Sequence, residues 1–284
     1  MQDRQIITDP SGETVTAAWG PMHLVIKAEK NGRPQIDAAR EAAQTAFDCL
    51  ARVAAWRGAF RRPALAFTPP PDDPLAATMV AAVAAVGAAD LTPMAAVAGT
   101  IADAVADRLA AMGMHRAVVN NGGDIAVRLA DGQSVRVGLR SAIDDPCIAG
   151  VLTLDDRASD WGVATSGLGG RSFTRGIASA VTVVAERTAV ADAAATAVAN
   201  ACNVEDENIM RRPAEALDPD TDIAGLTVTV RVGPIHPARQ RRALARAAEN
   251  AEALCEAGLI RGAVISLGGL SATAGGIEAL LTKP

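Results

Sequence analysis

The first thirty residues alternate apolar and polar positions: Gln5–Ile6–Ile7–Thr8, then Glu13–Val15–Ala17–Trp19, then His23–Val25–Lys27. Turn sequences at Asp9–Pro10–Ser11–Gly12 and Trp19–Gly20–Pro21 divide them, so the pattern predicts a β-meander. The period then changes. Ala43, Phe47, Leu50 and Ala54 recur one turn apart within 36–60, which predicts an amphipathic helix. The Pro- and Asp-rich run at 61–74 predicts a loop, and 75–86 an Ala-rich helix ended by Gly87. Thr92 and Pro93 have the residue types of an N-cap and first helical position, opening a third helix that runs to about Met112 and stops at Gly113.

Downstream, strands are expected at 115–120, 124–129, 134–139, 149–154, 161–165, 178–185, 226–232 and 261–267, with helices at 190–202 and 237–258. Asp131–Gly132 is the strongest two-residue hairpin signal, so 124–129 and 134–139 are expected to pair. Antiparallel runs of strands and grouped helices favour α+β over a doubly wound sheet. No internal repeat or long linker is evident, and 1–284 is read as a single domain.

Composition changes this picture in kind. Half the residues are hydrophobic but only 2% are aromatic, and Tyr is absent. A core of Ala and Val lets helices and sheet approach closely, and it offers few rings for stacking on bases. The net charge of −5 disfavours phosphate backbones and anionic lipid, so neither nucleic acid nor a membrane is expected as a partner. Arg239, Arg241, Arg242 and Arg246 read as a solvated helix face. The scattered cysteines, Cys49, Cys147, Cys202 and Cys255, have no zinc-ligand spacing and read as buried free thiols. The opening residues show no signal-peptide pattern, and the apolar stretch 74–89 is too short to span a bilayer, so a cytoplasmic location is expected.

Three segments carry candidate chemistry. In Asn120–Asn121–Gly122–Gly123–Asp124, adjacent glycines free the backbone for close approach of a ligand, and Asp124 can accept from it; a plain tight turn is the alternative. Thr165–Ser166–Gly167–Leu168–Gly169–Gly170–Arg171–Ser172 has the composition of an anion nest with a guanidinium beside it, against the alternative of a surface loop. Arg175 and Thr174 are further candidates for the same anion. Asp192 and Thr196, four apart on an Ala-rich helix, share one face and offer hard oxygen ligands. The alternative places Asp192 in a first turn, where it favours the helix dipole.

Taken in order, NNGGD, the segment with Gly138, ATSG, SAVTVVA and ADAAATA resemble the core of the ApbE family, flavin transferases that use FAD and Mg²⁺. The matching blocks lie between Val118 and Asn203. TPMAAVAG at 92–99 is similar to a shorter side-branch of ApbE-like proteins, apart from the transferases proper. The resemblance implies an ApbE-like fold, antiparallel sheets packed with Ala-rich helices. It matches Asp192 and Thr196 to a metal-binding pair, and Gly122, Gly123, Asp124, Thr165, Ser166 and Gly167 to elements that line a flavin site. The transferases also carry an H-x-x-x-P-x-T-G block between TSG and the VTVV strand; here that interval, LGGRSFTRGIA, has no His, Asp or Pro. Three readings follow. One is a binder or enzyme for an anionic small molecule or flavin nucleotide such as FAD, with a divalent metal such as Mg²⁺. Another is a non-catalytic assembly protein, homo-oligomeric through its Ala-rich helices. The third is an FMN transferase with a substitute acid–base group.

Overall fold

The computed structural model describes residues 3–67, 71–143 and 145–283. In chain order the strands are β1 (Gln5–Thr8), β2 (Val15–Trp19), β3 (Met22–Lys30), β4 (Arg33–Pro34), β5 (Arg116–Asn121), β6 (Asp124–Leu129), β7 (Ser134–Leu139), β8 (Gly150–Asp155), β9 (Asp160–Ser166), β10 (Ala180–Ala185), β11 (Ile209–Pro213), β12 (Thr227–Val232), β13 (Gly262–Leu267), β14 (Leu270–Gly275) and β15 (Leu281–Thr282). The helices are α1 (Ile36–Trp56), α2 (Pro74–Val86), α3 (Val97–Ala111), α4 (Thr188–Ala201) and α5 (Pro237–Glu256). The α+β expectation holds. Among the described residues, no helix is long and apolar enough to cross a membrane.

Ten strands form one antiparallel sheet in the order β1-β2-β3-β5-β6-β9-β10-β13-β14, with β4 added to β3. Strand alternation sends Leu24, Ile26, Val119, Ala126, Ala164, Val181 and Ile265 to one face. There α1 lies over β2 and β3, α3 over β5 and β6, α4 over β9 and β10, and α5 over β13 and β14. The alternate residues, including Val127, Trp161, Val163 and Val184, face a small sheet ordered β15-β8-β7.

The predicted pairing of 124–129 with 134–139 is not formed. β6 is buried along most of its length and takes β5 and β9 as neighbours, whereas β7 buries one face only and pairs with β8. The hairpin belongs instead to Asn121–Gly122–Gly123–Asp124, where both glycines have positive φ (71° and 116°) and Asn121 pairs with Asp124. Four strands lay outside the expectations: β4, β11, β14 and β15. β14 follows β13 across Gly268–Gly269, a two-residue turn with the same positive-φ chemistry. Of the expected 61–74 loop, residues 68–70 lie outside the described residues.

Two small residues let α4 press on its neighbours. A Cβ on Gly99 of α3 would lie 2.3 Å from the Thr188 carbonyl oxygen, and one on Gly162 of β9 would lie 2.3 Å from the Thr188 nitrogen. Across this contact the helices exchange carboxylates. Asp103 of α3 accepts from the Ala189 N–H (3.0 Å) and the Thr188 hydroxyl (3.0 Å) at the start of α4. Asp192 of α4 accepts from the Gly99 N–H (2.9 Å) in the first turn of α3. Thr92, the expected cap, precedes a short 3₁₀ turn and gives its hydroxyl to Asp222 instead. Asp103 also holds buried Arg128 (2.7 Å), which shares Asp107 with Arg187.

Gly99→Ala is expected to lower stability by about 1–3 kcal/mol, because backbone rather than a flexible side chain opposes the new methyl. Asp103→Ala, which removes one of the carboxylates around buried Arg128 and leaves the Ala189 N–H without its acceptor, is expected to cost about 1–3 kcal/mol. Urea unfolding monitored by circular dichroism checks both. A neutral Gly99→Ala variant would contradict the close contact.

Candidate functional site

The outer face of the large sheet and the small sheet enclose a cavity of about 640 Å³. Its floor comes from β3, β5, β6 and β9, through His23, Val25, Asn120, Ile125, Val163 and Thr165. Val137 and Leu139 of β7, with Ile143 and Ile148 of the following loop, form an aliphatic wall opposite. The Gly-rich loop closes one side with Gly169, Gly170 and Arg171, and the hairpin contributes Gly122 and Gly123. Arg140 and Arg171 are cationic, and among the described residues no carboxylate lines the cavity.

The loop and the hairpin fit each other closely. A Cβ on Gly122 would sit 2.7 Å from the Arg171 guanidinium, so the guanidinium lies directly over the hairpin backbone. Arg171 also donates to the Pro21 carbonyl (3.5 Å), at the turn before β3. Gly167 packs with equal closeness against the Ser179 carbonyl, where a Cβ would come within 2.8 Å. The Asn120 side chain accepts from the Gly123 N–H (2.8 Å) and fixes the turn.

Asp124 lies on the helix side of the same hairpin, by strand alternation with Ala126. The β6–β9 ladder runs only as far as Ile125 and Val163, and the Thr165 N–H beyond it goes to the Asp124 carboxylate. Thr165 therefore joins the two sides: its side chain lines the cavity and bonds Thr182 (2.9 Å), while its backbone holds Asp124. Asp124 faces Asp192, and both are half-buried. Burial pushes the Asp124 carboxyl up to about 7, against the pull of the Thr165 N–H and the Arg171 charge. Burial and then the neighbouring Asp124 charge hold Asp192 well above the ordinary carboxylate range, although the Gly99 and Ala98 N–H groups pull it down.

The other sequence-selected residues divide between these surroundings. Asp192 stands in the second turn of α4, not the first, and serves the dipole of α3 rather than its own. Thr196 lies one turn further along, with its hydroxyl on the Asp192 carbonyl (3.1 Å). Ser166 ends β9 on the helix side, by alternation with Ala164. Ser172 is exposed beyond Arg171 and does not line the cavity. Arg175 is ion-paired to Asp90, and buried Thr174 accepts from the Gly176 N–H (3.2 Å), so both are engaged in holding the loop. Asn120 opened a candidate segment, but sequence reasoning missed His23 and Arg140; each lies on a strand or loop whose outer face shows its role only once β7 is seen to pair with β8. Of the cysteines, Cys49 and Cys202 are buried as expected, but Cys147 is exposed, on the loop after β7. The α5 arginines are exposed, as expected of a solvated face.

Among the described residues no group of three or more His, Cys, Asp or Glu side chains is placed to hold a metal ion, so any cation here would depend on the Asp124 and Asp192 pair. Two carboxylates and a nearby hydroxyl offer oxygen, and no Arg or Lys bonds either carboxylate. The raised values have a measurable consequence. A carboxyl that keeps its proton in the folded state stabilises the fold below its unfolded value near 4, and that contribution is lost as pH rises toward about 7. In metal-free buffer the thermal midpoint is expected to fall between pH 4 and pH 7, by at most about 1.4 kcal/mol per pH unit for each group. Asp124→Asn, which keeps the shape and removes the charge, is expected to flatten that slope. An unchanged slope in the variant, measured by melting curves across this range, would count against the raised value.

The family model described as AbpE bacteria matches residues 4–275. The UPF0280 protein MK0206 of Methanopyrus kandleri is 38% identical over 167 residues, covering 52% of this chain and 66% of its own length. A UPF0280 protein of Methanoregula boonei is 36% identical over 183 residues, covering 61% of this chain and 73% of its own. In fold, the chain is similar to the flavin transferase ApbE from Vibrio cholerae, with a TM-score of 0.57, 12% identity and coverage of 98% and 100%. It is also similar to the ApbE protein from Thermotoga maritima, with a TM-score of 0.53, 13% identity and coverage of 98% and 99%. With the family model spanning nearly the whole chain and the topology shared from end to end, this protein belongs to the ApbE-like family described as AbpE bacteria.

Proposed function

We propose that this protein binds an anionic small molecule of the flavin-nucleotide type, such as FAD, in the cavity between its two sheets. A divalent cation such as Mg²⁺ is held at Asp192 with Asp124 and Thr196. The observation that carries this reading is the juxtaposition at the end of β5, β6 and β9. Among the described residues, a cavity lined by two arginines and no carboxylate meets a half-buried carboxylate pair with no bonded side-chain cation, across the Gly122–Gly123 turn.

Each residue has a distinct task. Gly123 and Gly169 leave the backbone open to an anion, with nothing within 4 Å of where a Cβ would sit, and Arg171 adds a charge-assisted contact beside them. Thr165 and Asn120 present hydroxyl and amide groups to the ligand body, while the aliphatic wall on β7 excludes water from it. Asp124 and Asp192 would hold the Mg²⁺, which would supply charge neutralisation for the carboxylate pair. Thr196 can add its hydroxyl after releasing the Asp192 carbonyl. Transfer of FMN is not part of this reading, because 168–178 brings Arg171 to the cavity but neither an imidazole nor a carboxylate.

FAD with Mg²⁺ at pH 8 is expected to raise the melting temperature by several degrees, and more than either alone. Asp192→Asn, which keeps an acceptor for the Gly99 N–H, is expected to lose the Mg²⁺-dependent part while melting normally without ligand. Differential scanning fluorimetry measures both. The absence of any shift with flavin nucleotides, with or without Mg²⁺, would overturn the proposal. Loss of folding in Asp192→Asn would instead assign the residue to structure alone.

A further inference from the structure

We propose that His23 makes anion binding in the cavity proton-linked: as an imidazolium it joins Arg171 and Arg140 in holding the anionic part of the ligand, and on deprotonation it releases part of that hold. The inference rests on the reading of the cavity as an anion site, and adds to it a recognition residue with a regulatory property.

The chain has three histidines, and His23 is the one that lines this cavity. Its position follows from strand alternation. Met22, Leu24, Ile26 and Ala28 are buried under the helices, so His23 and Val25 project from the other face of β3, into the cavity floor. Val25 is paired with Asn120, which places His23 next to the hairpin end of β5. Arg171 reaches the Pro21 carbonyl two residues before His23, so the two cationic groups converge on one corner. Among the lining residues, histidine is the side-chain type that can make a proton-linked contact with an anion.

The charged surroundings of His23 are few. On its own strand face the next charge is Lys27, which Glu13 (3.5 Å) and Glu29 (3.4 Å) neutralise. The facing β2 residue is Ala18, and β5 presents Asn120. Arg171 and Arg140 stand at the cavity itself, and Asp124 lies on the opposite side of the hairpin. Among the described residues no carboxylate lines the cavity, so none of them competes with a bound anion for the imidazolium. A hydrogen bond to a charged partner in such a site is worth roughly a tenfold change in affinity or more.

The test uses FAD without metal, in EDTA, because its diphosphate keeps a constant charge from pH 5.5 to pH 8.5. Binding is followed by flavin fluorescence. The dissociation constant of the wild-type protein is expected to rise about tenfold across that range. His23→Gln is expected to bind at all pH values as the wild type does at pH 8.5. Asp124→Asn is expected to keep the step, which separates the imidazole from the nearby carboxyl. A full step in His23→Gln, or a step abolished by Asp124→Asn alone, overturns the proposal. If FAD binds wild type at no pH, the flavin reading falls and sulfate, also of constant charge, replaces it as probe. Sulfate-dependent stabilisation at pH 5.5 that is lost in His23→Gln then supports the role of His23; equal stabilisation in both proteins, or none in either, overturns it.

Discussion

The architecture depends on an exchange of carboxylates between two neighbouring helices. Asp103 of α3 receives the Ala189 N–H and the Thr188 hydroxyl at the start of α4, and Asp192 of α4 receives the Gly99 and Ala98 N–H groups at the start of α3. Neither helix has a side-chain cap from its own N-terminal flank. Each carboxylate satisfies orphan donors that would otherwise be buried without partners, and each sits at the positive end of the other helix. The exchange works only at very short range, which Gly99 and Gly162 permit by leaving the Thr188 backbone room between α3 and β9. The Ala-rich composition is the chain-wide form of the same requirement: small side chains let α4 lie low on β9 and β10 while α2 and α3 press against it.

This packing explains where the chemistry is. α4 is held so that Asp192 points past α3 toward the end of β6, where Asp124 emerges from the Gly122–Gly123 turn. The two carboxylates are thus brought together by helix packing on one side and strand register on the other. On the far face of the sheet, the same turn borders a cavity whose lining is neutral or cationic. Arg171 spans the boundary, lying against Gly122 and lowering the cost of charge on Asp124.

Much of the fold was legible because β-alternation and helix periodicity each survive in a chain with few large side chains. The meander, α1, α2 and the β10–α4 segment fall where the pattern puts them. The errors share one cause: local turn chemistry was read without knowledge of which strand faces were buried. Asp131–Gly132 has the stronger hairpin sequence, yet β6 is buried along most of its length and must take β5 and β9 as partners, so β7 leaves for another layer. That departure creates the aliphatic wall of the cavity, which is why the roles of His23 and Arg140 could not be read from their neighbours in sequence. Asp192 and Thr196 were legible as a pair on one face, but the use of Asp192 as a cap for a helix 93 residues away was not.

That double use of Asp192 constrains any chemistry at the site. One of its oxygens, Oδ2, is committed to Gly99, so an ion at this point meets a carboxylate whose orientation is already fixed by the fold. The pre-set orientation lowers the entropy lost on binding a cation, and the same contact weakens the charge it presents. Asp124 compensates, because its carboxylate is held by a single backbone donor at the end of a glycine turn. Without a cation, burial and mutual repulsion favour protons on the pair. With one, the same burial strengthens the attraction. A site of this kind responds to pH and to metal in opposite senses, and its coupling to the cavity runs through the Thr165 backbone and the Arg171 guanidinium, the two groups that touch both sides.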